Sequence, residues 1–361
     1  MASEGSSGAG LALRGLHNAQ AGSVLFGRVP QEVRDKIYAE VFSSTLVVDS
    51  PTGAPSAGAA AGSRARPTSG VLSLLRTCRQ ARDEVGTTWL GQVLFSFLDA
   101  YTMVNKLAAL PATTISQIRR VRLYSGALSL PLADGSAVYI TLSSALSFLP
   151  GLQLDELTVL GGYLSILNGD TVNNLAKRGN GWKSLRYACP TSALFNVLAP
   201  RLDWPEEMRY VPVPDVDGWL GTLKRRDGAA SKPTAAFYRC TRQRGSDKFR
   251  RTPAPPSADA ELEKTVLVEL TRGAGADYQV KEGAAVLETL RHQRHHSIPM
   301  TLKTWDGVRS FCVSDPGKVA TKSHQLGIYD DIDEHSWVRV TVKKGVIKEM
   351  DGTDERGTFK L

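Results

Sequence analysis

Few residues in this chain combine the type and the spacing that chemistry requires. His292, His295 and His296 occur in Arg-His-Gln-Arg-His-His. The first and last of them stand four apart, which on a helix puts two imidazoles on one face, the beginning of a metal site. No HExxH pattern surrounds them, and Arg291 and Arg294 add positive charge where a cation would sit. A solvated helix end whose cations complement the dipole accounts for them better. His324 and His335 are remote in sequence. Asp330, Asp331, Asp333 and Glu334 suggest calcium, yet the glycine and closing glutamate of an EF-hand loop are missing, so an acidic surface turn is the simpler reading. There is no GxSxG elbow, no P-loop and no GxGxxG opening a helix; Gly273-Ala274-Gly275-Ala276-Asp277 reads as a turn. The expectation is a non-enzymatic protein with no catalytic residue, no cofactor and no metal.

Two further sets of residues bear on partners. Cys78, Cys189, Cys240 and Cys312 are far apart, without a CxxC pair, and read as reduced and structural. The net charge of +8 has a single location. Between positions 224 and 251 lie Lys224, Arg225, Arg226, Lys232, Arg239, Arg242, Arg244, Lys248, Arg250 and Arg251, against only Asp227 and Asp247, an excess equal to that of the whole chain. Phe237, Tyr238 and Phe249 interleave with these cations. Such a stretch offers phosphate contacts and base stacking to single-stranded nucleic acid, or a nuclear-import address; the alternative is a solubilising loop.

The elements that must position these residues are organised around Ser69 to Phe97. Val71, Leu74, Leu75, Cys78, Ala81 and Val85 recur at spacings of three and four, the stripe of a docked helix, with the arginines and acids facing elsewhere. The run Gln92 to Phe97 then reads as a buried extended segment. Upstream, Pro30 opens a second helix to Phe42. There Val33, Ile37 and Val41 recur every four residues with Tyr38 and Phe42 one step round, a stripe suited to packing on the Val71–Val85 helix. Thr45 to Val48 is a short β-branched run. Residues 49–70 are a Pro/Gly/Ala/Ser insert read as a flexible loop within one domain, and residues 1–22 read as disordered.

The upstream segment carries Phe26, Val29, Pro30, Glu32, Val33, Arg34, Ile37 and Tyr38; the downstream helix carries Leu74, Leu75, Thr77, Cys78, Arg79, Gln80, Glu84 and Val85. The pairing resembles the F-box-like proteins abundant in fungi, where a Leu-Pro-x-Glu-Leu/Val-Arg-x-x-Ile-Tyr opening precedes Leu-Leu-x-Thr-Cys-Arg-Gln-Ile-x-x-Glu-Ala. Val29 stands in place of the usual Leu, Ala81 of Ile and Val85 of Ala, all apolar exchanges. The resemblance covers about residues 25 to 97. It implies binding of a Skp-type adaptor of a cullin ubiquitin ligase, through Leu25, Phe26, Val29, Pro30, Val33, Ile37 and Tyr38. The alternative is that packing on the second helix consumes the same side chains, leaving a structural scaffold.

Farther on, strands are expected at Ile115–Leu123, Leu154–Leu160 and Trp182–Ala188, with helical segments at Tyr139–Phe148 and within Tyr163–Arg178. This irregular alternation is like degenerate leucine-rich units and favours a small, mostly parallel α/β sheet or a short solenoid arc. Beyond Pro200 come a Pro-rich and basic linker with a candidate strand at Ala235–Cys240, a strand at Glu263–Leu270, a helix at Ala284–His292 and a hairpin from Ser336 to Met350.

The fold class expected is therefore α/β. An F-box-like helical region spans 23–97, a strand-helix array 98–200, a linker 201–260 and a β-rich part 261–361. A chain of 361 residues, 42% hydrophobic and 22% charged, is ordinary for a folded soluble protein of two or three domains. No run approaches the ~18 apolar residues of a membrane span and the first twenty residues lack a secretory pattern, so no membrane and a cytoplasmic or nuclear setting are expected.

Overall fold

The computed structural model describes residues 23–48, 69–126, 128–131, 137–162, 165–195, 215–240, 265–281, 336–343, 346–349 and 357–358. The architecture is mixed α/β, built on one large sheet. Strands β1 (Leu46–Val48), β2 (Leu94–Phe97), β3 (Arg120–Tyr124), β6 (Leu154–Leu160) and β7 (Trp182–Cys189) lie side by side in chain order, all parallel. The sheet then continues antiparallel through β9 (Val266–Thr271), β8 (Thr234–Cys240), β10 (Ser336–Lys343) and β11 (Val346–Glu349), with β12 (Gly357–Thr358) beside β10. A separate hairpin, β4 (Leu128–Pro131) and β5 (Ala137–Ile140), is inserted between β3 and β6.

Parallel neighbours that follow one another in sequence need crossovers of one hand, which puts the connecting helices on the same side of the sheet. That side holds α6 (Ala100–Ala108), α8 (Leu142–Ala145), α9 (Ser165–Arg178) and α10 (Val216–Asp227). Met103, Leu107, Leu146, Val172, Leu175, Trp219 and Leu223 from this layer join Val121, Leu123, Leu157, Val159, Leu185 and Tyr187 of the parallel strands in one core. The same core includes Phe237, Val268, Leu270 and Val340, so the strands of the β-rich part bury their side chains with those of the strand-helix array. The stretch read as linker contributes α10 and β8 to it.

The N-terminal part packs differently from its sequence pattern. Helix α2 (Gln31–Ser43) follows the short α1 (Val24–Arg28), and Pro30 sits at its N-cap with φ −54°, the value its ring imposes. It buries Arg34, Tyr38 and Phe42, whereas Val33 and Ile37 remain 45% and 41% exposed. Of the expected stripe, then, Tyr38 and Phe42 lie inside while Val33 and Ile37 are turned outward, because the two aromatics bury more area than the aliphatic pair and Arg34 has a partner inside.

The second helix is broken in two. Helix α3 (Ser69–Thr77) ends before α4 (Arg79–Val85), and between them Cys78 is extended (φ −114°, ψ 106°) and its sulfur accepts a hydrogen bond from the Ala81 N–H at 3.4 Å. The sulfur satisfies one of the N–H groups that a new helix start leaves open, which allows the break. The expected stripe survives it: Cys78, Ala81 and Val85 cluster with Tyr38, Phe42 and Val93, and Leu74 and Leu75 pack against them. Two short helices, α5 (Trp89–Gln92) and α7 (Ala112–Ile115), precede β2 and β3. The segment expected to be helical from Tyr139 begins as strand β5 and turns helical only at Leu142, since the β-branched Val138 and Ile140 flanking Tyr139 suit the hairpin.

Candidate functional site

The residues that the two N-terminal motifs contribute converge on one carboxylate. Arg34 and Tyr38 stand four apart on α2, and Gln80 and Glu84 stand four apart on α4, so each helix presents a polar pair on one face. Glu84 Oε2 accepts from Arg34 Nε at 3.0 Å and from the Tyr38 hydroxyl at 3.1 Å; its Oε1 accepts from Arg34 Nη2 at 2.8 Å and from Gln80 Nε2 at 3.0 Å. Arg34 spends Nη1 on the Val29 carbonyl at 2.6 Å and lies 5.7 Å from the centre of the Phe26 ring. The ion-paired side chains are only 9% and 12% exposed, so this is a two-pronged, nearly buried pair with its remaining hydrogen-bonding groups largely occupied.

The electrostatics follow from that geometry. Burial alone raises the Glu84 carboxyl, but the hydrogen bonds from Arg34, Gln80 and Tyr38 outweigh it and hold the group below its usual range. Burial and the neighbouring Glu84 charge push the Tyr38 phenol up to about 12. Arginines and acids of the second motif were expected to face away from the packing; Glu84 instead sits at its centre. The signal available in sequence was the matched i, i+4 pairs, Arg/Tyr and Gln/Glu, one in each motif.

About one residue step round α2 the chain shows apolar surface. Val24, Val33 and Ile37 are the large hydrophobic residues exposed among those described. Pro30 beside them is exposed, Leu25 and Val29 are half-buried, and Phe26 packs against the Tyr38–Phe42 cluster. Of the seven residues assigned to partner binding, then, Val33, Ile37 and Pro30 face solvent, while Tyr38 is 4% exposed and bonded to Glu84.

The basic stretch does not converge among the described residues. Lys224, Arg225 and Arg226 are exposed in the last turn of α10, at successive positions that point about 100° apart. Arg239 lies half-buried in β8, between β9 and β10. Arg242, Arg244, Lys248, Arg250, Arg251 and Phe249 lie outside the described residues. Phe237 and Tyr238, expected to be available for base stacking, are 7% and 8% exposed. Phe237 meets Phe195 edge to face with 5.5 Å between ring centres, and Tyr238 donates to Glu269 at 3.2 Å. Alternation in a sheet covered on one side sends Phe237 into the main core and Tyr238 to the other face.

That other face carries a polar ladder. Arg186 on β7 reaches Glu156 of β6 at 3.0 Å and Glu269 of β9 at 3.1 Å. Below it lies a small apolar cluster of Leu160, Ala188, Tyr238, Cys240, Leu267 and Trp337. Inside the molecule, Asn168 accepts from the Tyr187 hydroxyl at 2.7 Å, donates to Cys189 Sγ at 3.2 Å and brackets the backbone of Gly162. Burial pushes the Cys189 thiol up to about 12, the opposite of what a nucleophile requires. Among the described residues no group of three or more His, Cys, Asp or Glu side chains is placed to hold a metal ion, and no helix is long and apolar enough to cross a membrane. The acids and histidines weighed as metal ligands, together with Cys312 and the Ala284–His292 segment, lie outside the described residues.

No family model, no curated protein and no solved structure matches this chain.

Proposed function

We propose that the chain is a non-enzymatic protein-interaction protein whose N-terminal helices form an F-box-like unit that docks a Skp-type adaptor. In this role it is a substrate-recognition subunit of a cullin ubiquitin ligase, with the strand-helix array, built on leucine-rich-like lines, left to hold the target. The observation that carries the proposal is the rotation of α2: Arg34, Tyr38 and Phe42 hold it to the body of the protein, and Val33 and Ile37 stand exposed beside Pro30. Helix-borne apolar side chains spaced four apart are the anchors a helical partner surface accepts. The motif residues are thereby divided between two tasks, and packing does not consume them all.

The test is a quantitative pull-down of the intact protein with a purified Skp-type adaptor, beside Ile37→Asp and a Lys36→Glu surface-charge control. Capture of the wild type and control, with loss of capture in Ile37→Asp at unchanged melting temperature, supports the proposal. No capture of wild type at micromolar concentrations refutes it and leaves a scaffold without an adaptor.

A further inference from the structure

Helix α2 carries two apolar faces about one residue step apart, and the two compete for the space beside α4. One face is Val33, Ile37 and Val41; the other is Tyr38 and Phe42, which shares its row with Arg34. A turn of about 100° about the helix axis brings the first into the place of the second and carries the second farther round. In the rotated setting Arg34 reaches water and Val33 and Ile37 enter the space beside Ala81 and Val85. Beside the area of the two aromatics, a single side chain on another helix favours the observed setting. Glu84 receives three hydrogen bonds from α2, two from Arg34 and one from Tyr38, and Gln80 on its own helix fixes it from behind.

We propose that Glu84 is a positioning residue for the docking face: its carboxylate selects the rotation of α2 that keeps Val33 and Ile37 outside. The importance of that face rests on the function proposed above, but the rotation itself is measurable without any adaptor, so the two proposals fail separately. Without the Glu84 charge, Arg34 becomes a buried cation lacking its counter-ion, an arrangement costly enough to turn the helix and bring Arg34 to solvent. Val33 and Ile37 then replace Arg34 and Tyr38 inside, and the surface loses its apolar anchors while the molecule stays folded. Buried ion pairs are best attested as devices that choose among packings, which is the task assigned here.

The experiment places a reporter at the outward position. Ile37→Cys is made in the full-length protein and combined with Glu84→Gln, and with Glu84→Gln plus Arg34→Leu. Labelling by a maleimide is followed at each cysteine by peptide mass spectrometry. Cys189, which is fully buried, serves as the internal monitor of unfolding. Expected is fast labelling at position 37 in the parent. In the Glu84→Gln background it slows about tenfold or more, as for a site exposed only in a minor state of roughly 10% or less. Fast labelling returns when Arg34→Leu removes the cation that drives the turn. Cys189 stays protected throughout. Unchanged labelling at position 37 in Glu84→Gln overturns the proposal. So does labelling of Cys189 in that variant, because Glu84 would then hold the fold together without choosing the rotation.

Discussion

Replacing Asp227 by Asn tests whether the antiparallel strands and the parallel array form one cooperative body. Asp227 ends α10 and pairs with Arg272, the residue after β9; their side chains are 0% and 1% exposed. Arg272 Nε donates to Asp227 Oδ2 at 2.9 Å and Nη2 donates to Oδ1. Nη1 donates to Asn180, just before β7, at 2.9 Å, and Nη2 also reaches the Asp277 carbonyl at 3.2 Å. The guanidinium lies about 6 Å from the ring centres of both Trp182 and Tyr278. One buried cation therefore joins α10, β7, β9 and the loop after β9. Removing the charge of its partner costs about 3–5 kcal/mol, because the cation stays behind in a dry site. With a urea dependence of about 3 kcal/mol per molar, the top of the range for small proteins, the midpoint falls by about 1–1.7 M. Circular dichroism and the fluorescence of the buried Trp182 and Trp219 should report the same lowered midpoint. A second variant, Asp227→Leu with Arg272→Met, should recover most of the loss, since an apolar pair leaves no charge unpaired. A drop below about 0.3 M in Asp227→Asn, or separate transitions for the two probes, refutes the reasoning.

Three other outcomes follow from single sites. The folded Glu84 carboxyl lies below its unfolded value, so its contribution is full above about pH 4.3 and disappears as pH falls through the lower folded value. The gap in melting temperature between wild type and Glu84→Gln should therefore close on acidification below about pH 4, and a constant gap would contradict this. Gly151 has φ +86°, and a Cβ there would lie 2.7 Å from the Ala112 carbonyl oxygen; Gly151→Ala should cost at least about 1–2 kcal/mol by urea denaturation, and a neutral result would show that the turn can relax. Cys189, with a raised thiol pKa inside the core, should resist maleimide in native buffer and react in urea; reaction in native buffer would show the core to be open.

The parallel part of the fold was readable because residues alternating toward the core, Leu157 and Val159 in β6 and Leu185 and Tyr187 in β7, mark short strand-like runs. Leu154–Leu160 was delimited from sequence as it stands in β6, and Trp182–Ala188 differs from β7 by one residue. Helix α10 was missed although Val216, Trp219, Leu220 and Leu223 follow helical spacing behind Asp215, whose carboxylate caps Gly218. The following run of arginines drew attention to charge and away from that stripe. The order β9–β8–β10 was not legible, since pairings between strands so distant in sequence leave no local trace. The setting of α2 was legible only in part: the stripe read from spacing joined Val33, Ile37 and Val41 to Tyr38 and Phe42, and the pairing of Arg34 with a carboxylate fifty residues away left no local trace. The candidate site was thus legible as a set of motif residues, but the division into holding and presenting residues was not.

The most direct measurement of the docking claim is site-specific photo-crosslinking. A photoreactive benzophenone side chain is placed at position 37, and in separate samples at 42 and at Lys106, each in the full-length protein mixed with a purified Skp-type adaptor. Expected is a crosslinked product from position 37 alone, because Phe42 is fully buried and Lys106 lies on α6, outside the proposed docking face. Equal yields from positions 37 and 106, or no product from position 37, would contradict the claim that α2 presents Val33 and Ile37 to that partner.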